Sequence, residues 1–162
     1  CSRSFERFIY FMMKKYINVV IQNTVQSPLK KVEIFELLNK LMTHLKIDGI
    51  SINIIFTSDE ELKLLNLNYR NKDQVTDILT FPVANNNFIN QDVKSDDVIA
   101  GDIYIAVNHS FVRSKDKKIS HELELKHLIV HGVLHLLNYS HDNDDDQLLI
   151  IEETILGINI HN

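Results

Sequence analysis

The stretch HLIVHGVLHLLNYSHDNDDD, His127 to Asp146, sets four histidines and a glycine into an apolar run that ends in aspartates. On an α-helix, His131 and His135 lie on one face, one turn apart. At that spacing two imidazoles can reach one metal ion. His127 continues the stripe, but it stands about 12 Å along the axis from His135, and Zn–N bonds are only about 2.0–2.1 Å long. The third ligand is therefore expected where the chain turns back. His141 follows Asn138, and Asn is second only to Gly as the left-handed residue that closes a helix. His131, His135 and His141 would leave a fourth position open, as in a catalytic zinc site and unlike a closed structural one. Zinc or another imidazole-preferring ion is expected, and water activated there can act as a nucleophile near neutral pH.

The competing reading is plain packing, since single histidines on apolar helix faces are commonly hydrogen-bonded core residues and a bare HxxxH pair arises by chance. His141 behind a cap residue tips the balance towards a metal. Gly132 weakens a helix, and a close approach of backbone or substrate beside the metal would explain it. A zinc peptidase helix would read HExxH with Glu as general base. Gly132 occupies that place, which counts against peptidase chemistry.

These residues need a scaffold, and the rest of the chain supplies its elements. Ile17 to Ile21 is a short β-prone run. Ser27 as N-cap with Pro28 at the first helical position is expected to open a helix whose apolar face is Ile34, Phe35, Leu38, Leu41, Met42 and Leu45. SINIIFT alternates as a strand, and SDEE reads as a capping box between Ser58 and Glu61 opening a helix to about Tyr69. DILTFPV is a brief strand stopped by Pro82, VIAGDIYIAV a longer one, and the polar ANNNFINQDVKSDD between them a surface loop. A short helix after Asn108, a long one from about Ser120 to Leu137, and a last one from the aspartates to Gly157 complete the chain. The fold class expected is α+β: one domain with a small mixed four-stranded sheet, mostly parallel or mixed in direction, packed by about five helices.

At 162 residues the chain can bury a core without a disulfide or structural metal. Apolar residues make up 44% and charged ones 24%, a globular balance. One cysteine, Cys1, precludes an internal disulfide and fits a reducing, cytoplasmic setting. The apolar patch Phe8 to Met13 is too short for a signal-peptide core or a membrane span. MKKYINVV reads like a natural start at Met13, so residues 1–12 are expected to be an extension or remnant and 13–162 the single functional domain. The net charge of −5 repels a polyanion as a whole, so a nucleic-acid partner needs a local basic surface or a recruiting protein.

HGVLHLLNYSH resembles the HGxLHLxGYDH signature of the bacterial YbeY proteins, metal-dependent endoribonucleases and rRNA maturation factors. LNLNYRNKDQVTDILTFP resembles their second signature, YRxKDxxTDVLSFP. AGDIYI looks like their LGDIxI strand, and EETILG fits their last helix. The resemblance runs from about Met13 to Gly157. It implies that His131, His135 and His141 hold one zinc or other divalent transition metal, and that Arg70 is the functional arginine lining the same cleft. Asn138 stands where the family usually has Gly, preserving the turn. Ser140 stands where it usually has Asp, removing a carboxylate that could orient a ligand.

The chemistry of Arg70 agrees, because a guanidinium fork binds two phosphoryl oxygens at once. Its structural alternative is a salt bridge to Asp73 or Asp77. Thr76 and Asp77 are expected to organise the turn into the strand, and Asp102 to serve as a hydrogen-bonding group and not a metal ligand. Lys72, Arg113, Lys115, Lys117 and Lys118 are candidate phosphate contacts, with a solvated loop as the alternative. Asp142 and Asp144 to Asp146 supply favourable charge at a helix start and lack the glycine and spacing of a calcium loop.

Three functions follow as expectations. The leading one is a zinc-dependent, single-strand-preferring endoribonuclease that processes the 3′ end of small-subunit rRNA and serves ribosome quality control. Its partners would be single-stranded or ribosomal RNA, the small ribosomal subunit and its assembly proteins, with no membrane. The others are a metal-dependent hydrolase of a non-RNA substrate and a non-catalytic ribosome-assembly factor with structural zinc.

Overall fold

The computed structural model describes residues 17–47, 49–83, 98–139 and 147–159. Four strands form one sheet: β1 (Ile17–Ile21), β2 (Ile50–Thr57), β3 (Ile78–Pro82) and β4 (Val98–Ala106). Their spatial order is β1-β2-β4-β3. β1, β2 and β4 run parallel, and β3 pairs antiparallel at the edge. Five helices are described: α1 (Lys31–Leu45), α2 (Asp59–Arg70), α3 (Val107–Asp116), α4 (His121–Leu136) and α5 (Gln147–Leu156). The α+β class and the mixed four-stranded sheet agree with expectation. The polar segment 84–97 and the aspartate cluster at 142–146 lie outside the described residues.

Alternation along the strands divides the core in two. Ile52, Ile54 and Phe56 of β2 and Ile103 and Ile105 of β4 pack with Ile34, Leu38 and Leu41 of α1 and with α4. On the opposite face Leu79 and Ala106 meet Leu62 of α2, with Phe81 and Tyr104 alongside. At the bulge where β4 shifts register against β2, Gly101 has φ +145°, and a Cβ there would fall 2.2 Å from the Phe81 carbonyl oxygen. Only glycine lets β3 and β4 close at that point.

Two helix starts differ from expectation. α1 begins at Lys31 and not at Pro28: the Ser27 hydroxyl instead accepts from Leu29 N at 3.1 Å, turning the chain so that Leu29 is buried. Glu33 then accepts from the Lys30 backbone N–H at 2.9 Å. At α2 only half of the capping box forms. Ser58 Oγ accepts from Glu61 N, whereas the Glu61 carboxylate takes the Thr57 hydroxyl at 2.9 Å. Asp59, in the first turn, accepts from His109 N at 3.0 Å and so ties α2 to α3.

α4 is the central helix, and it is buried nearly all round, against the sheet on one side and against α1, α3 and α5 on others. Apart from charged or aromatic exceptions, a helix in that setting should be apolar on every face. Its exceptions, Glu124, His127, His131 and His135, therefore require partners.

Candidate metal centre

Ser120 caps α4, its hydroxyl accepting from Leu123 N at 3.1 Å. The helix closes as the sequence predicts: Asn138 is left-handed at φ +67°, and Tyr139 N reaches back to Leu134 O at 3.0 Å. That pattern is a Schellman closure with Asn in the usual glycine place.

Gly132 lies buried next to His131, but for a different reason from the one expected. A Cβ there would stand 2.9 Å from Ile78 Cδ1 and 3.0 Å from Ile103 Cγ2. Side chains of β3 and β4 occupy the space. The glycine lets α4 lie down on the sheet, which fixes the rotation of the helix and turns its histidines away from the strands.

His131 and His135 come together on the face turned from the strands. Their Nε2 atoms are 3.0 Å apart, and their ring centroids 4.4 Å. Two ligands on one tetrahedral zinc ion stand about 3.3 Å apart when the bonds are 2.0–2.1 Å, so the pair nearly has the separation an ion requires. Behind His131, the Nδ1–H donates to Glu152 Oε1 at 2.7 Å. A carboxylate only accepts, so the proton sits on Nδ1 and the Nε2 lone pair is directed towards His135. This is the arrangement by which carboxylates orient metal-binding imidazoles.

His127 lies one turn earlier, buried, with Nε2 3.4 Å from Glu152 Oε2 and Nδ1 3.7 Å from Glu124 Oε2. These are ion-pair separations, longer than hydrogen bonds. Burial opposes a charge on His127, but the flanking Glu124 and Glu152 outweigh it and raise the pKa above the ordinary histidine value. Glu124 is fully buried and held by Lys117, whose Nζ donates to both carboxylate oxygens at 2.8 Å. Burial pushes the Glu124 pKa up, and the contacts from His127 and Lys117 more than reverse this, leaving it below the usual carboxylate range. His127, His131 and Glu152 bring ligand-type atoms within 4.8 Å of one another, a group that could hold a metal ion. His141 and Ser140 lie outside the described residues.

Sequence reasoning missed Glu152. The signal was available, because Leu148, Ile151, Glu152 and Ile155 form one buried stripe on α5, and a carboxylate on an apolar face needs a partner. Lys40 Nζ donates to Ile155 O at 2.7 Å and fastens the end of that helix to α1.

Arg70 is the exposed last residue of α2, followed by Asn71 in the left-handed conformation. The alternative partners considered for it are taken: Asp73 pairs with Lys63 at 3.3 Å, and Asp77 with Arg113 Nε at 3.2 Å. Asp77 O also accepts from Ala106 N, so this residue does organise the entry to β3. Asp102 accepts from Asn53 Nδ2 at 2.7 Å, the hydrogen-bonding role expected of it. Among the five basic residues proposed as phosphate contacts, Arg113 and Lys117 are committed to carboxylates, and Lys115 lies 4.9 Å from the centre of the Phe111 ring.

Among the described residues no helix is long and apolar enough to cross a membrane. The family model for Endoribonuclease YbeY matches residues 17–156. The chain is 34% identical over 110 residues to Endoribonuclease YbeY of Clostridium botulinum (strain Alaska E43 / Type E3), spanning 60% of this chain and 66% of that one. It is 30% identical over 116 residues to that of Persephonella marina, spanning 72% of each. With that of Caldicellulosiruptor saccharolyticus it shares 28% identity over 151 residues, spanning 86% of this chain and 96% of the relative. The solution structure of TM1509 from Thermotoga maritima superposes with a TM-score of 0.57 at 25% identity, covering 86% of each chain. Fold, histidine helix and sequence relatives agree, and this chain belongs to the Endoribonuclease YbeY family.

Proposed function

We propose that this protein is a zinc-dependent, single-strand-preferring endoribonuclease of the cytoplasm, acting in 3′-end maturation of small-subunit rRNA and in ribosome quality control. The observation that carries the metal reading is the 3.0 Å approach of His131 Nε2 to His135 Nε2 with Glu152 hydrogen-bonded behind His131. In this reading His131 and His135 hold the ion, and His141 is the third ligand. Zinc, when bound, supplies a Lewis acid that polarises a phosphoryl oxygen and acidifies water.

The chain's own residues do the rest. Glu152 keeps the Nδ1 proton of His131 in place. Arg70, exposed at the end of α2, offers a bidentate fork to the phosphoryl oxygens, where charge accumulates during cleavage. The commitment of Asp73 and Asp77 to other cations supports that role. RNA as substrate and ribosomal partners rest on the family. Neither a non-RNA hydrolase nor a purely structural zinc protein draws support from a specific observation.

The test is Arg70→Ala. It should keep zinc content and fold while cleavage of single-stranded RNA falls by about 100- to 1,000-fold, the size of losing one transition-state donor. An unchanged cleavage rate would remove Arg70 from the mechanism.

A further inference from the structure

Polar side chains behind the histidine pair follow one another in a single line of close contacts. Lys117 Nζ lies 2.8 Å from both oxygens of Glu124, and Glu124 Oε2 is 3.7 Å from His127 Nδ1. His127 Nε2 is 3.4 Å from Glu152 Oε2, and Glu152 Oε1 accepts from His131 Nδ1 at 2.7 Å. The line spans two helices, α4 and α5, and the turn after α3, and its two carboxylates and His127 are buried. Ammonium, carboxylate, imidazole, carboxylate and imidazole follow one another along it, hydrogen-bonded at its two ends and at ion-pair separation on either side of His127.

Such a line is a poor device for stability alone. Buried ion pairs seldom outperform apolar residues of similar volume, and α4 is otherwise packed with leucine, isoleucine and valine. The line does determine direction. With Lys117 clamping Glu124, His127 has an acceptor beside each ring nitrogen and cannot flip without losing both. His127 in turn engages one oxygen of Glu152 and leaves the other for His131.

We infer that Lys117 and Glu124 are positioning residues of the metal centre: through His127 and Glu152 they hold His131 in the tautomer that turns Nε2 towards the ion. The inference rests on the proposed metal reading, and neither residue touches the ion or the substrate.

The experiment compares wild type with the double variant Lys117→Met/Glu124→Gln, which removes both charges and keeps an amide oxygen at position 124 that can accept from His127. Glu124→Gln alone and Lys117→Arg serve as companions. Long-range nitrogen–carbon NMR of the metal-free proteins reads the His131 tautomer, and competition with a chromophoric chelator reads zinc affinity. Wild type and Lys117→Arg should show the Nδ1–H form. The double variant and Glu124→Gln should show mixed tautomers, with zinc bound about threefold to tenfold more weakly, at or below the usual effect of a group that orients a ligand directly. Unchanged His131 signals and zinc affinity in both variants would overturn the inference. A wild-type protein whose His131 and His135 signals ignore zinc would instead sink the metal reading, and the metal-free tautomer comparison would still decide whether the line sets His131.

Discussion

Glu152 Oε1 lies 2.7 Å from His131 Nδ1 while its other oxygen faces His127 Nε2 at 3.4 Å, so one buried carboxylate of α5 holds two successive turns of α4. The helix that carries the histidine pair and the helix that orients it are thereby joined by charge as well as by packing.

Removing that carboxylate should be expensive even without metal. Glu152→Ala leaves two imidazoles facing a void, and breaking a buried charged pair by deleting one partner costs about 3–5 kcal/mol. Glu152→Gln keeps the shape and should lose about 1–3 kcal/mol. Urea unfolding in excess chelator measures both. An alanine variant within about 1 kcal/mol of wild type would mean the pair behaves like a surface contact.

Asn138 gives a second check. Left-handed backbone costs most residues about 1–2 kcal/mol, so Asn138→Ala should destabilise by about 1 kcal/mol. Asn138→Gly should be neutral or slightly stabilising. Equal melting temperatures for the alanine and glycine variants would contradict the closure seen at φ +67°.

Gly132→Ala sets two effects against each other. Alanine favours a helix by about 1 kcal/mol, but its methyl would meet Ile78 and Ile103 at 2.9–3.2 Å, and overpacking costs about 1–3 kcal/mol. The balance is a net loss of about 1 kcal/mol, read from thermal or urea unfolding. A variant more stable than wild type would show that the isoleucines move aside freely.

Stability should also depend on pH through His121. Burial lowers its pKa below the ordinary value, against the opposing pull of the Val107 carbonyl, which Nε2 faces at 3.1 Å, and of Glu124 and Glu122. The folded state then binds this proton more weakly than the unfolded chain. Its contribution is complete above about pH 6.5 and is lost as pH falls through the depressed folded pKa. His127, raised, works in the other direction: its contribution is complete below about pH 6.5 and is lost as pH rises through the folded pKa. A His121→Gln variant should therefore show a shallower acid-side decline in unfolding free energy. An identical slope would assign that decline elsewhere.

Much of this was legible in the chain itself. Strand alternation, helical periodicity, the N-cap at Ser58 and the closing Asn138 are local signals, and local geometry obeyed them, although the Glu61 half of the capping box did not form. The histidine pair is legible for the same reason, since helix pitch alone brings positions 131 and 135 together. What pitch cannot reveal is a partner from another element. Glu152 and Lys117 meet α4 only after tertiary packing, and the antiparallel edge position of β3 is likewise a tertiary choice. Ser27 shows a local signal losing: burying Leu29 outweighed an early helix start at Pro28.

The contact at Gly132 has a consequence for what this scaffold can become. The position where a zinc peptidase would need its glutamate is pressed against Ile78 and Ile103 of the sheet. A carboxylate introduced there would enter the hydrocarbon interior and not the histidine face. No single substitution at that site can convert the centre to peptide hydrolysis, because the helix would first have to rotate about its own axis, and the packing that anchors it to the strands forbids the turn.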